Sequence, residues 1–471
     1  MFISKRIFIA VSLLPAPLLA QTRTSTSRPD SAWPAAEAHH RGPSARALMD
    51  SYVAEGVARN LQLAQQTLAE RRSEYAVKEA NGRFLPSVGL NARYTEYSGV
   101  INIGDFVNPT YRALNQILGE ERFPTNINST LPQRQETKVA LIQPLYNAAL
   151  MGNRERARAL NSSSAAQRRL ALRQLTADIQ LAWLNLASAT QVVRLLRATL
   201  PVLDENLRVS ERLVSNGQTT VDATYRSRAE RSELLQQIAE SEQREAAALR
   251  AFNLLRDREA DAGVTIANDS TLIAGTPIAL ADAVAIALND REELDAADQG
   301  IRMANAERRI AGSAWKPAVT LAADYGVQGD RYQFDRKHDV ATASLIVSWN
   351  AFNGGQDAAR RTQATIARDE AELQRRSIEQ RIRVQVAVAH DALVAARTSL
   401  AAANDRFEST RRSFTLVERR YAEGLAPPVD FLVARAALTS ATINQVLTRY
   451  SYAARAVEFE RVAAIRALPL N

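Results

Sequence analysis

Between Gly355 and Gly424 the chain contains neither glycine nor proline. About 68 residues of unbroken helix at ~1.5 Å rise would span ~100 Å. No globular core is that long. Such a helix must pack along its length on other long helices, as coiled coils do. The stretch between Gly152 and Gly217 repeats the feature with one exception, Pro201. A proline inside a helix removes a backbone hydrogen bond, so a local break is expected there.

The long helix belongs to a duplicated unit. Residues 84–94, FLPSVGLNARY, match 315–325, WKPAVTLAADY, with Pro86, Val88, Leu90 and Tyr94 against Pro317, Val319, Leu321 and Tyr325. VSERLVSNG at 209–217 is echoed by LVERRYAEG at 416–424. A repeat of this kind governs the fold. Each copy reads as a helix (45–80 and 278–313), a strand, a loop, a return strand, the long helix, a Gly-containing turn and a return helix (221–256 and 429–466). The first helices carry apolar residues at three-four spacing, such as Leu48, Tyr52, Leu61 and Leu68. The copies span 46–256 and 278–466, joined by a linker at 257–277. Return strands are offset by 206 residues where first strands are offset by 231, so the first copy holds about 25 extra residues in an outer loop at 98–134. A short helix is expected there over 110–119.

The strands, about 87–97, 135–144, 318–328 and 340–349, alternate strictly. Val319, Leu321, Ala323 and Tyr325 interleave with Thr320, Ala322, Asp324 and Gly326; Val139 and Leu141 oppose Lys138. Ten alternating residues match a tilted outer-membrane strand, apolar to lipid and polar to lumen. Aromatic residues bracket the strands: Phe84, Tyr146, Trp315, Trp349 and Phe352 at one end, Tyr94, Tyr97 and Tyr325 at the other. Such girdles mark the two membrane interfaces. Four strands cannot close a barrel, and an open edge is intolerable in lipid, so the chain must assemble with copies of itself.

The remaining composition narrows the function. Residues 1–20 have the positive start (Lys5, Arg6), short apolar run and small-residue end of a secretory signal peptide. Residues 21–45, rich in Ser, Thr, Pro and Arg, read as a flexible mature N-terminus. The chain has no cysteine, which removes disulfides, thiolate metal sites and cysteine nucleophiles. The net charge of +8 is spread over mixed-sign helices without interleaved aromatics, so no nucleic-acid partner is expected. No phosphate-binding loop, HExxH or GxSxG is present, and neither an enzyme activity, a metal nor a cofactor is expected. His39 and His40 sit in the flexible segment, His338 in an outer loop and His390 within a helix.

On these residues the chain resembles the TolC-type outer-membrane efflux proteins over about 46–466. The resemblance rests on the duplicated plan, on Asn60 and Asn289 late in the early helical stretches, on Pro86 and Pro317 before the strands, and on SWNAFNGG at 348–355 with its counterpart IQPLYNAA at 142–149. It rests also on Tyr421 and Gly424 followed by Val429 and Asp430. It implies a mainly α protein with a membrane β-barrel: a homotrimer with twelve strands above a long periplasmic α-helical barrel, in the outer membrane of a Gram-negative bacterium. It implies an exit duct of tripartite efflux or type I secretion, working with a periplasmic adaptor and an inner-membrane pump of RND, ABC or MFS type. Gly217, Gln218, Thr219, Tyr421, Gly424 and Leu425 would form adaptor-docking tips, within 215–222 and 422–430. Asp430, with Asp222 as its counterpart, would line the pore constriction; both equally suit a helix N-terminus. Val433 stands where the family has a second acid, and Pro427 and Pro428 depart from its usual tip. Pro86, Pro317, Pro144, Gly354 and Gly355 would make the helix–strand transitions. The competing reading is an exported periplasmic coiled-coil scaffold without a pore, and the faces of the strands decide between the two.

Overall fold

The computed structural model describes residues 44–468 apart from 97, 99–100, 132–133, 268–277, 330–337 and 424. The signal peptide, nearly all of the 21–45 segment with His39 and His40, Tyr97, half of the linker and Gly424 lie outside the described residues. In chain order the elements are α1 (Ala45–Arg59), α2 (Leu61–Gly82), β1 (Ser87–Tyr94), β2 (Ile101–Asn102), α3 (Ile103–Leu118), β3 (Thr130–Leu131), β4 (Gln135–Tyr146), α4 (Ala148–Ser215) and α5 (Val221–Leu255). The second half follows with α6 (Leu280–Asp290), α7 (Glu292–Gly312), β5 (Ala318–Gly329), β6 (Asp339–Ser348), α8 (Gln356–Ala422) and α9 (Pro428–Val462).

The two long helices have 68 and 67 residues. The break expected at Pro201 does not occur: α4 runs through it. Leu196 and Leu203, on either side, are buried against Leu234 and Ile238 of the return helix α5. That packing outweighs the single hydrogen bond lost to the ring. The helices expected at 45–80 and 278–313 are each divided in two. Asn60 leaves the helical conformation with ψ 122, accepts from the Leu63 N–H at 3.0 Å and donates to the Leu255 carbonyl at 3.0 Å. In the second copy the division falls at Arg291, which is held to the Val462 carbonyl at 3.0 Å and to Glu293. Asn289, the sequence counterpart of Asn60, takes no such part.

Each division lets a short helix fold onto the middle of its shaft. Met49 and Val53 of α1 join Trp183, Phe252 and Ala453 in one buried cluster. Ala283 and Ala287 of α6 join Ile382, Val386, Phe459 and Val462 in its counterpart. Trp183 and Phe252 are fully buried, and burying side chains of this size contributes about 2–3 kcal/mol each.

Strands β1, β4, β5 and β6 form one antiparallel sheet in that order. The helices follow the same order, with α4 against α2 and α7, and α7 against α8. Sheet and shaft are thus one four-membered arc. Pro144, expected at a helix–strand transition, lies inside β4 at an irregularity between Pro144 and Tyr146, and the strand ends two residues later. Lacking an N–H, proline is tolerated at such a bulge.

Candidate functional site

Register fixes the two faces of the sheet. Val88 pairs with Leu141 and Leu90 with Val139; Val139 continues to Tyr325, and Leu321 and Val319 continue to Leu345 and Val347. Paired residues share a face, so every apolar position named from the sequence lies on one side. Apart from its outer rim, where Val327 and Gln135 are buried, that side is bare: Leu90 is 72% exposed, Leu345 63% and Val347 61%. The other side carries Arg93, Asn91, Glu136, Lys138, Asp324 and Thr342. Arg93 donates to Glu136 at 2.8 Å, Lys138 pairs with Glu136 at 2.6 Å and approaches Asp324 at 3.7 Å, and Thr342 donates to Asp324 at 2.6 Å. Gly326 makes room for the Lys138 stem: a Cβ there would sit 2.6 Å from Lys138 Cα and 2.1 Å from the Thr137 carbonyl oxygen. An apolar exposed face backed by a cross-linked polar face is an arrangement for lipid on one side and water on the other.

Both ends of the arc are unfilled. Strands β1 and β6 each have a partner on one side only. The helices behind them show what belongs there. On α2, Glu70 and Ser73 turn to α4 and bind Arg168 and Asn161, while Leu61, Leu68 and Tyr75 form an opposite stripe at heptad spacing, each more than 60% exposed. On α8, Arg375 turns to Asp298 of α7, while Ile366 and Leu373 turn away and are exposed. Heptad stripes of this kind are coiled-coil seams. The apolar spacing of Leu61 and Leu68 is legible in the sequence; that they stand exposed on the single chain is not.

At the far end of the shaft the two tips are built alike in the backbone. Gly217 has φ +70, and the Gln218 N–H reaches back to the Leu213 carbonyl at 2.9 Å. The Leu425 N–H reaches the Arg420 carbonyl at 2.7 Å in the same pattern. Such a hydrogen bond closes a helix C-terminal cap, and at Gly217 the cap uses the left-handed conformation that glycine adopts without strain. Gly354 and Gly355, both at positive φ, do similar work where β6 gives way to α8. Pro86 and Pro317 stand between the preceding helix and the strand, immediately before Ser87 and Ala318. Thr220 precedes α5, and Gln218 and Thr219 lie in the turn before it.

The tip interiors differ. In the second, Tyr421 stacks on Phe431 at 4.8 Å and Phe414 lies 5.7 Å from Phe431. In the first, the buried contacts are Ser210 with Ser227 at 3.1 Å and Asn206 with Ser227 at 3.4 Å. Asp222 and Asp430 both fall in the first turn of their helices and are exposed. Asp222 pairs with Arg226 at 2.8 Å; Asp430 has no ion pair among the described residues. No hydrogen bond or ion pair joins the two aspartates there. Pro428 opens α9 at a position where its missing N–H costs nothing.

Between the two hairpins, about a quarter of the way up α9, Arg435 meets Glu230 at 3.4 Å beside a cavity of about 500 Å3 lined also by Leu203, Glu233 and Gln237. Arg435 is buried and its Nε and Nη1 have no hydrogen-bond partner. Burial pushes the Glu230 carboxyl above its ordinary value; Arg435 opposes this and Glu233 adds to it. The folded state therefore takes up the proton more readily than the unfolded one. Stability from this group rises as pH falls through the raised pKa and levels off below the ordinary carboxylate range. Thermal melts in detergent should show the wild type gaining on Glu230→Gln as pH falls from 7.5 towards 5. A constant difference between the two would show that the pairing with Arg435 offsets the burial. No pattern in either copy points to this pair, since neither copy predicts which mixed-sign charges its neighbour will cover.

No group of three or more metal-binding side chains occurs among the described residues. His390 packs edge-on against Phe459 at 5.8 Å.

Comparison with known proteins adds to the geometry. Residues 283–463 match the family model described as outer membrane efflux protein. Among curated proteins there is no match. Several solved structures share the fold. With the CmeC outer membrane channel of Campylobacter jejuni the TM-score is 0.73 at 14% identity, over 88% of this chain and 85% of that one. With CusC, whose structures concern folding and transmembrane channel formation, it is 0.75 at 15% identity, over 93% and 98%. With the outer membrane protein VceC of Vibrio cholerae it is 0.72 at 17% identity, over 90% and 99%.

Proposed function

We propose that the protein is an outer-membrane exit duct through which substrates pass passively from the periplasm to the exterior; residues 283–463 match the outer membrane efflux protein model, and 88–93% of the chain superposes on the CmeC and CusC channels. The observation that carries this reading is the two-faced sheet. Leu90, Leu345 and Val347 would lie bare in water on a periplasmic scaffold, whereas in a membrane they face lipid. Arg93, Glu136, Lys138 and Asp324 then line a hydrated lumen.

Three copies close the ring. Strand β6 of one copy pairs with β1 of the next, giving twelve strands, and α8 packs its Ile366 and Leu373 onto the Leu61, Leu68 and Tyr75 stripe of the neighbouring α2. The chain fractionates with outer membranes as a detergent-stable trimer on this account; an exported soluble monomer would sink it.

The tips face the periplasm, where a duct of this kind meets an adaptor and, through it, an inner-membrane pump of RND, ABC or MFS type. Gly217, Gln218, Thr219, Tyr421, Gly424 and Leu425 are the docking positions, and the cysteine-free chain allows one cysteine near Gly217 to capture the adaptor by crosslinking. Asp430 lines the constriction, with Asp222 beside it; carboxylate rings favour cations in narrow pores. Its exposed carboxylate, free of any described ion pair, supports that role better than Asp222 does. Asp430→Ala should raise single-channel conductance in planar bilayers and lower cation selectivity. If neither quantity changes, Asp430 is not part of the gate.

A further inference from the structure

Just below the strand ends the shaft carries more cations than its carboxylates can match. Glu79 is taken by Arg83 at 2.7 Å, Glu307 by Arg156 at 3.3 Å, Glu155 by Arg309 at 2.5 Å and Asp357 by Arg360 at 3.6 Å. Arg158, Arg302, Arg308, Lys316 and Arg361 are exposed and have no carboxylate partner among the described residues. Arg158, Arg302 and Arg309 line a groove of about 300 Å3 between α4 and α7, to which Ser162, Gln299 and Asn305 add hydroxyl and amide groups; its one carboxylate, Glu155, is the partner of Arg309, which leaves Arg158 and Arg302 as its net charge.

The chain's handedness decides which way this groove opens. Gln328, on the polar face, donates to the His338 carbonyl on the β6 side at 3.0 Å; Thr95, on the same face, donates to Arg134 on the β4 side at 2.7 Å. For L-residues on outward-running strands, β4 is then to the right of β1, and β6 to the right of β5, seen from the lumen. The helices α2, α4, α7 and α8 therefore follow one another clockwise viewed from outside the cell. On α4, Gly152 and Arg156 turn to α7, and Asn161 and Arg168 turn to α2. At 100° per residue, Arg158 and Ser162 fall on the outer flank and Leu160 on the lumen flank. The groove opens outward, on the side of the lipid-facing strands.

It is also within reach of the membrane. Arg158 lies ten positions past Ala148, ~15 Å along the axis. Helical side chains lean towards the helix N-terminus, which for α4 is the membrane end. Exposed Trp315 and Trp349 mark the interface immediately above. Resting on the outer-membrane placement, we propose that this groove binds the phosphodiester headgroup of an anionic phospholipid of the periplasmic leaflet, one in each protomer. Guanidinium groups suit phosphate oxygens in paired hydrogen bonds, and the two unmatched arginines supply charge that zwitterionic lipid does not repay. The lipid would tie α4 to α7 where barrel becomes shaft.

The full-length protein in detergent, titrated with phosphatidylglycerol or phosphatidylcholine and read by native mass spectrometry, tests this. The wild-type trimer should retain phosphatidylglycerol with about tenfold preference, falling as salt rises. Arg158→Gln with Arg302→Gln should lose the preference while remaining a conducting trimer. Arg302→Gln alone, at an exposed position, should lose part of it even if the double variant fails to assemble. Equal retention of the two lipids by the wild type, an unchanged preference in the variants, or its complete removal by millimolar inorganic phosphate would overturn the lipid site. A wild type that conducts without lipid preference leaves the exit-duct reading intact.

Discussion

Leu68→Asp should abolish the trimer. Leu68 is the middle residue of the α2 stripe, 62% exposed in the single chain and flanked at heptad spacing by Leu61 and Tyr75. In the proposed ring it faces α8 of the next copy, near Ile366 and Leu373. Covering a leucine there stabilises each interface by about 1.5–3 kcal/mol. A carboxylate in its place loses that term and adds the cost of desolvating a charge beside Ile366 and Leu373, several kcal/mol more. The substitution acts at three interfaces at once, so assembly fails cooperatively. Native gels or light scattering in mild detergent should show monomer. Glu74→Ala, one position from Tyr75 on an exposed part of the same helix, should leave the trimer unchanged. A stable Leu68→Asp trimer would mean that copies of the chain meet along another seam.

The second large effect lies within the chain. Arg173 of α4 donates its Nη2 and Nε to Glu292 of α7 at 2.8 and 2.9 Å, and its Nη1 to the Arg466 carbonyl at 3.0 Å. Both side chains are buried, 10% and 5% exposed. Three segments far apart in the sequence meet on this one guanidinium. Arg173→Met leaves Glu292 charged and unpaired in the interior, which costs about 3–5 kcal/mol. Arg173→Met with Glu292→Met removes both charges together and should recover most of the loss. The comparison is made by thermal melting of each variant in the same detergent. If single and double variants melt alike, the pair contributes through shape alone.

Much of this fold could be read from the amino-acid sequence because local pattern and global plan agree. Period-two alternation at Val319–Tyr325 survives as strand β5, and the glycine-free run after Gly355 survives as helix α8. The misreadings have physical causes. Pro201 should interrupt a helix judged alone, but Leu196 and Leu203 hold it against α5. The short helix expected at 110–119 starts at Ile103 instead, because Asn102 caps it and Asn108 and Asn115 bind the returning segment at Ile127 and Phe123. At Pro201 a distant contact overrides a local preference; at α3 a local cap and contacts to the returning segment act together. The site divides the same way. The tip glycine at 217 and the paired glycines at 354 and 355 announce themselves, since only they accept positive φ without strain. The Glu230–Arg435 contact and the groove at Arg158 do not, since both arise between helices from different copies of the repeat.

An outer-membrane duct needs one face of the sheet in lipid and the other in water. Single cysteines at Leu90, Leu345, Asn91 and Thr342, spin-labelled in reconstituted vesicles, test it most directly. Labels at Leu90 and Leu345 should relax with lipid-soluble oxygen and those at Asn91 and Thr342 with a water-soluble nickel complex. Equal aqueous access at all four positions would contradict it.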